Sequence, residues 1–464
     1  MLFSVEEVVN VTGGKLLLGE PEGYFNGVII DSRQAKGKEL FFPLQGEKEN
    51  GHRYVLNALR NGASGSLLEE RYLNAFNLET FPEKKAVIVV NDSLRCLQEL
   101  AFYHRNKFSL PFIAVTGSNG KTTTKDLISS VLSMRYNVLK TEGNLNNHIG
   151  LPLMLLNIKK EHRVAVVEMG MSAPGEISLL ASLAKPSLGV ITNIGEAHLG
   201  LLGSRENIAR AKGELLDVMG AEGKAFLNGD DYYLRRMGKE FRGETFYYGF
   251  HEGVDLRSLN STGCEFGSRF TVLLPDGKVE DFQIPLLGGH NVYNALAAIA
   301  LGLEFSLEIE EIKERLSKSS VTGMRMEIKL SKRGCWVIND SYNANPTSMK
   351  VALQSLKEAA GKERAIAVLG DMLELGAVEE QEHFKVGEYC AALNIDYLIT
   401  VGNLGSVIAR GARSAGLPSF RIIAADSHRE ALDYLFSLPQ KGSFILIKGS
   451  RGMRMEIIAE ELLA

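Results

Sequence analysis

The segment AVTGSNGKTTT (Ala114–Thr124) constrains the fold of this chain more than any other stretch. A short run rich in β-branched residues, PFIAVT (Pro111–Thr116), leads into it, and a helical pattern over Lys125–Met134 follows. A glycine-rich turn between a strand and a helix gathers backbone N–H groups around phosphate oxygens. Gly117 and Gly120 permit the tight turn. Lys121 brings a point charge to the β and γ phosphates, and the Thr122 hydroxyl can ligate a magnesium ion bridging them. The loop is the shorter TGxxGKT form, because Val115 stands where GxxxxGK[ST] has its first glycine. Thr116, Gly117, Ser118, Asn119, Gly120, Lys121, Thr122 and Thr123 form the expected cradle, and a nucleoside triphosphate is the expected ligand.

The alternation around this loop extends along the chain. VAVVEM (Val164–Met169), LGVITN (Leu188–Asn193) and KAFLN (Lys224–Asn228) are short apolar runs, with helical patterns at 176–183 and 205–218 between them. Strands alternating with helices build parallel sheets with crossover helices. A β-rich stretch at about 245–284 interrupts the alternation, and NALAAIALGL reads as a buried helix. After about Gly323 the pattern restarts with WVIND, AIAVLG, YLITVG, RIIAAD and FILIKG, a second open α/β sheet. The first ninety or so residues mix turns with short strands, VIIDSR, ELFFPL and AVIVV. At roughly 150 residues per domain, 464 residues make about three. The fold class expected is α/β in three domains: mixed α/β over 1–92, a parallel-sheet phosphate-loop domain over 93–318, and a second open α/β sheet over 319–464.

Composition narrows the classes of function. Apolar residues at 45% and charged residues at 23% fit a globular protein and exclude wholesale disorder. A net charge of −4 provides no drive toward nucleic acid or anionic lipid. Cys96, Cys264, Cys335 and Cys390 form no CxxC pair, so neither a zinc knuckle nor a disulfide framework is expected, and the thiols fit a cytosolic protein. MLFSVEEVVN carries Glu6 and Glu7 where a signal peptide needs basic residues, and no apolar run is long enough to span a bilayer.

Two further side chains sit where open α/β sheets place their ligands, at the carboxyl ends of parallel strands. Glu168 closes VAVVEM, and His198 follows LGVITN in NIGEAHLG. A carboxylate and an imidazole suit magnesium or manganese beside a triphosphate. Taken singly, the glutamate also reads as a helix cap and the histidine as a hydrogen-bonded structural residue. Lys212, in IARAKGELL, reads by itself as a solvated surface lysine. A switch GTPase would need a base-reading motif such as NKxD, which is absent.

Together TGSNGKTTTK, TEGNLNNHIGLPL, VEMGMSAPGEI, TNIGEAHLG, GGHNVYNALAA and NDSYNANPTSM resemble the Mur ligase family along essentially the whole chain. TEGNLNNHIGLPL, NDSYNANP and DSRQAKGKELFFPLQGEKENGH are similar to the member that adds D-alanyl-D-alanine. The resemblance implies a uridine-nucleotide domain, an ATPase core and a Rossmann-like lid that closes over ATP. It implies phosphorylation of the carboxylate of a UDP-muramoyl tripeptide, followed by attack of the D-alanyl-D-alanine amine on the acyl phosphate. By the same resemblance Lys121, Glu168, His198 and Lys212 are catalytic. Thr122 and Glu168 hold a first magnesium, His198 helps hold a second, and Lys212 carries a carbamate that stabilises it. Asn291 and Asn294 contact adenine, Arg325 reaches the phosphates, Asp340 binds ribose, and Asn343 follows in the same loop with Tyr342 and Asn345. Ser32 and Arg33 are implied for the uridine diphosphate, and Asn144, Asn146 and Asn147 for the muramoyl group; the three asparagines also read as a turn. The implied protein is a cytoplasmic monomer with small-molecule substrates, no nucleic acid and no membrane span. The alternatives are a relative adding diaminopimelate or lysine, a folylpolyglutamate synthase, or a phosphate-loop switch protein. The diaminopimelate-adding relative is expected to carry DNPR, which is absent here.

Overall fold

The computed structural model describes residues 2–46, 49–196, 199–264, 267–321 and 323–464. The chain divides into two compact units. One comprises Met1–Phe112, Thr141–Ala165 and Leu179–Lys185; the other comprises Ile113–Lys140, Val166–Ser178 and Pro186–Ala464.

In the first unit a five-stranded sheet runs in the order Lys15–Leu18, Ala86–Val90, Gly65–Glu69, Glu39–Phe41, Gly27–Ile29. Only the Lys15–Leu18 edge is antiparallel to its neighbour. Ile29, Phe41, Val55, Leu59, Leu68 and Val87 form a core on this sheet. The strand expected over VIIDSR stops at Ile29. The Asp31 carboxylate accepts the Arg33 N–H at 2.9 Å and caps a short 3-10 turn, Ser32–Gln34. Such local capping by aspartate competes with extended backbone.

A nine-stranded sheet runs in the order Val279–Ile284, Gly267–Leu273, Leu256–Cys264, Glu244–Gly249, Lys224–Asn228, Leu188–Ile191, Phe112–Thr116, Val164–Glu168, Val138–Lys140. Leu188–Ile191 is parallel to both Phe112–Thr116 and Lys224–Asn228. The β-rich stretch is therefore no interruption. Leu256–Cys264, Gly267–Leu273 and Val279–Ile284 continue this sheet as an antiparallel edge. In Gly267–Leu273 and Val279–Ile284 buried residues alternate with more exposed ones, as in strands with one wet face, which antiparallel pairs tolerate.

The Rossmann-like part of the second unit is a six-stranded sheet in the order Glu327–Leu330, Trp336–Asp340, Phe444–Lys448, Ala365–Gly370, Tyr397–Val401, Ile422–Ala425. All its pairs are parallel except the first. Apolar clusters fill both faces, one around Ile338, Leu353, Leu369 and Leu446, the other around Val337, Val368, Ile447 and Ile458. Trp336–Asp340 and Ala365–Gly370 are successive in the chain, yet Phe444–Lys448 lies between them. The strand ends at such a switch in order open a crevice, and Asp340 and Lys448 stand there. Among the described residues no helix is long and apolar enough to cross a membrane.

Candidate active site

Strand Phe112–Thr116, wholly buried, enters the phosphate loop, and helix Lys121–Leu132 leaves it. Gly117 and Gly120 have φ of 142° and 81°. A Cβ on Gly117 would lie 1.9 Å from Thr192 Oγ1, and one on Gly120 2.5 Å from Asn294 Oδ1. Backbone and space thus both demand glycine.

The turn is locked from the neighbouring strand. The Asn119 N–H donates to Asn193 Oδ1 at 3.0 Å, and the Asn119 carbonyl accepts from the Thr192 hydroxyl at 2.6 Å and the Asn193 amide at 3.0 Å. The Ser118 hydroxyl accepts the Gly195 N–H at 2.8 Å. Sequence reasoning did not single out Thr192 and Asn193. Their only signal was their place in TNIGEAHLG, just past a strand end.

Two lysines, an arginine and one carboxylate gather at this turn. Lys121 Nζ donates to the carbonyls of Gly117 at 2.8 Å and Ser118 at 3.3 Å. Burial lowers its pKa, the Glu168 carboxylate pulls it up, and the Arg325 guanidinium lowers it further. Lys212 lies on helix Arg205–Met219 and is only 1% exposed, which removes the surface-lysine reading. Burial first, and the Lys121 charge second, hold its pKa well below that of a free lysine. Like charges this close favour either a neutral amine or an anionic partner.

Thr122 Oγ1 donates to Glu168 Oε2 at 2.7 Å, and both residues are buried. A hydroxyl and a carboxylate oxygen are hard donors of the kind magnesium takes beside substrate phosphates. Among the described residues no group of three or more His, Cys, Asp or Glu that could hold a metal ion by itself is found, here or elsewhere. The residues present therefore fit a magnesium ion whose remaining ligands are phosphate oxygens and water. His198 lies outside the described residues.

Asn291 and Asn294 are buried on helix Gly289–Glu304. Asn294 Oδ1 accepts the Thr124 hydroxyl at 3.0 Å, Asn294 Nδ2 donates to Asn291 Oδ1 at 2.9 Å, and Asn291 Nδ2 donates to the Leu287 carbonyl at 2.8 Å. This amide chain ties their helix to the one that follows the phosphate loop.

Arg325 comes from the Rossmann-like part. Met324 and Met326, which flank it, have φ of 63° and 52°, a left-handed backbone that costs non-glycine residues about 1 kcal/mol or more each. Its guanidinium lies 3.9 Å from the Tyr342 ring centroid, and its buried Nε has no hydrogen-bond partner among the described residues. An orphaned buried donor beside the phosphate loop is suited to an anion. Asp340 ends strand Trp336–Asp340. Its Oδ1 accepts the Met326 N–H at 3.1 Å and its Oδ2 accepts Lys448 Nζ at 2.6 Å. Lys448 also donates to the Asn343 carbonyl at 2.9 Å. Sequence reasoning missed this buried lysine, because FILIKG reads only as a strand end. Asn345 works at both ends of its amide. Oδ1 accepts the Ser348 N–H at 2.8 Å and caps helix Pro346–Ala360, while Nδ2 donates to Asn119 Oδ1 at 2.9 Å.

His290 is half-buried near this pair. Burial pushes its pKa down to about 4, with Asp340 opposing the shift and Lys448 adding to it. Between pH 4 and 6.5 the unfolded chain binds a proton that the folded chain refuses. Folded stability is therefore expected to be full above about 6.5 and to fall as pH drops toward 4. Denaturant midpoints across that range should show this slope, and His290→Gln should reduce it, burial also lowering the pKa of His52, His104 and His162. An unchanged slope would remove His290 as its cause.

The remaining sequence-predicted residues lie in the first unit. Ser32 is buried, and its carbonyl accepts Asn61 Nδ2 at 3.2 Å. Arg33 is exposed and forks onto Asp31, with Nη2 to Oδ2 at 2.7 Å. Asn147 Oδ1 accepts the Gly150 N–H at 2.8 Å at the start of helix Gly150–Leu155. The Asn146 N–H donates to the Asn144 carbonyl at 2.7 Å. The three asparagines form a local turn. Lys121, Thr122, Glu168, Lys212, Asn291, Asn294, Arg325, Asp340 and Asn343 all belong to the second unit.

Comparison with known proteins places this geometry. The Mur ligase middle domain matches residues 115–302, and the Mur ligase, glutamate ligase domain matches residues 324–451. The chain is 42% identical to UDP-N-acetylmuramoyl-tripeptide–D-alanyl-D-alanine ligase of Bacillus subtilis, over 94% of this chain and 93% of that one. It is similar to a crystal structure of MurF from Acinetobacter baumannii, with a TM-score of 0.88 and 32% identity over 99% and 98% of the two chains. It is also similar to the MurF ligase from Thermotoga maritima in complex with ADP, with a TM-score of 0.82 and 26% identity over 94% and 96%. With such identity along nearly its full length, the chain belongs to the Mur ligase family.

Proposed function

We propose that the chain is an ATP-dependent ligase that joins D-alanyl-D-alanine to UDP-N-acetylmuramoyl-tripeptide in peptidoglycan precursor synthesis. The observation that carries this reading is the cluster of Lys121 and Arg325 with buried Thr122, Glu168 and Lys212 around one phosphate loop, in a chain whose relatives bear that name. A switch protein has no use for a second buried lysine and an arginine brought from another sheet.

In this reading the tripeptide carboxylate takes the γ-phosphoryl group of ATP, the dipeptide amine attacks the resulting acyl carbon, and phosphate leaves the tetrahedral intermediate. A carboxylate approaching a triphosphate meets like-charge repulsion. Lys121 and Arg325 neutralise part of that charge and align the phosphates. Thr122 and Glu168 would hold one magnesium ion, and His198 and a carbamate on Lys212 would help hold a second; the two would supply the rest of the positive charge. The neutral buried amine of Lys212 is the form that adds carbon dioxide. Asn291 and Asn294 contact adenine, and Asp340, held by Lys448, presents its remaining lone pairs to the ribose. Residues 319–464 close over ATP, with Asn345 meeting Asn119, and keep water from the acyl phosphate. The first 92 residues hold the uridine nucleotide through Ser32 and Arg33, and Asn144, Asn146 and Asn147 contact the muramoyl group. The enzyme acts in the cytoplasm as a monomer.

The test is phosphate release from ATP with UDP-muramoyl tripeptide and competing acceptors. D-Alanyl-D-alanine should support turnover, whereas diaminopimelate, lysine and glutamate should not. Release driven by a single amino acid would move the chain to another member of the family.

A further inference from the structure

Two carboxylates, Glu176 and Glu214, hold the loop that follows Glu168. Its start is tied to the phosphate strand: the Met169 N–H donates to the Val115 carbonyl at 2.9 Å, and the Thr116 hydroxyl donates to the Met169 carbonyl at 2.9 Å. Its middle is tied by Glu176, whose Oε2 accepts the N–H groups of Ser172 at 2.6 Å and Ala173 at 3.2 Å. Its end is tied to a different element. Glu214 Oε1 accepts the Gly175 N–H at 2.7 Å, and Glu214 Oε2 accepts the Ser178 N–H at 3.0 Å.

Glu214 stands two positions after Lys212 on helix Arg205–Met219. At 3.6 residues per turn the two side chains leave the helix about 200° apart. Lys212 is buried toward Lys121 while Glu214 grips the loop that begins at Glu168. A short path therefore runs from Glu168 through residues 169–175 and the Glu214 carboxylate to the helix that carries Lys212. A carboxylate accepting two backbone N–H groups is a strong, directional clamp. Both oxygens are engaged, so helix rotation or sliding costs two charge-assisted bonds.

We propose that Glu214 is a positioning residue that sets the separation between Glu168 and Lys212, and so the geometry of the magnesium sites between them. This rests on the metal reading given above. A plainer role, capping the first turn of helix Glu176–Ala184, would affect stability alone.

Manganese binding separates the two roles. The full-length protein, with a non-hydrolysable ATP analogue, is titrated with Mn2+ and free ion is read by electron paramagnetic resonance. Glu214→Ala should weaken binding about ten-fold, the lower end for a group that orients metal ligands through another residue. Glu214→Gln, with one acceptor oxygen in place of two, should fall between it and the wild type. Ser204→Ala is the control. It removes the side chain that caps the same helix, through the Asn207 N–H at 3.2 Å, and should lower the melting temperature without changing manganese affinity. Wild-type affinity in both Glu214 variants would overturn the proposal, as would an equal loss in Ser204→Ala. Glu168→Gln tests the underlying reading. If it binds manganese like the wild type, the metal assignment falls and this inference with it. If it binds weakly and the Glu214 variants do not, only the inference about Glu214 falls.

Discussion

Lys121→Ala should lower turnover at saturating ATP by at least about 10²–10³-fold, the usual effect of deleting one preorganised donor to a developing anion. The ammonium donates to the Gly117 and Ser118 carbonyls, and the Arg325 guanidinium stands close to it. The Lys121 ammonium and the Arg325 guanidinium repel each other there, and a polyphosphate relieves the repulsion. Two measurements check this. Steady-state phosphate release should collapse in the variant, and inorganic triphosphate should raise the melting temperature of the wild type far more than that of Lys121→Ala. The variant itself should melt near the wild type, because two hydrogen bonds to loop carbonyls contribute only about 1 kcal/mol each. Near-wild-type turnover would sink the phosphate-loop assignment.

Lys212→Ala should cause a loss of similar size, and bicarbonate or a short carboxylic acid should partly restore activity. The physical reason is burial. A lysine 1% exposed beside Lys121 has its pKa pushed well below that of a free lysine, which favours the neutral amine, the form that adds carbon dioxide to become a carbamate. A carbamate turns a position that repels its neighbours into an anion that attracts both Lys121 and a metal. If the missing group is a small carboxylate, solution can supply one to the alanine variant. Rescue by alkylamines and not by carboxylic acids would mean that the side chain acts as a cation, and the carbamate would then be dropped.

Much of this architecture was legible in consecutive residues. The strand before the phosphate loop, the demand for glycine at 117 and 120, and the repeated alternation of β-branched runs with amphipathic helices are local properties, set by backbone sterics and side-chain period. Glu168 was legible from its place at a strand end. Lys212 was not, since a lysine in a helical pattern reads as solvated; only the resemblance singled it out, and the fold buries it. The β-rich stretch at 245–284 read as a break because pattern reports strands and not which sheet they join. VIIDSR read as one strand because the capping chemistry of Asp31 competes with its β-branched start.

The contacts that shape the site belong to the tertiary structure. Asn119 meets Asn193 across 74 positions, Lys448 meets Asp340 across 108, and Asn345 meets Asn119 across 226. Each pairing depends on sheet order, on Leu188–Ile191 lying beside Phe112–Thr116 and Phe444–Lys448 beside Trp336–Asp340. Local residue pattern carries the period of an element and the shape of its turns, and by itself it determined the kind of elements and the chemistry of one loop. Which strand ends stand together is decided by how the buried faces pack, a sum over many residues distant in the chain. That is why the partners of Asp340 and Asn119, and the burial of Lys212, were decided only in the folded protein.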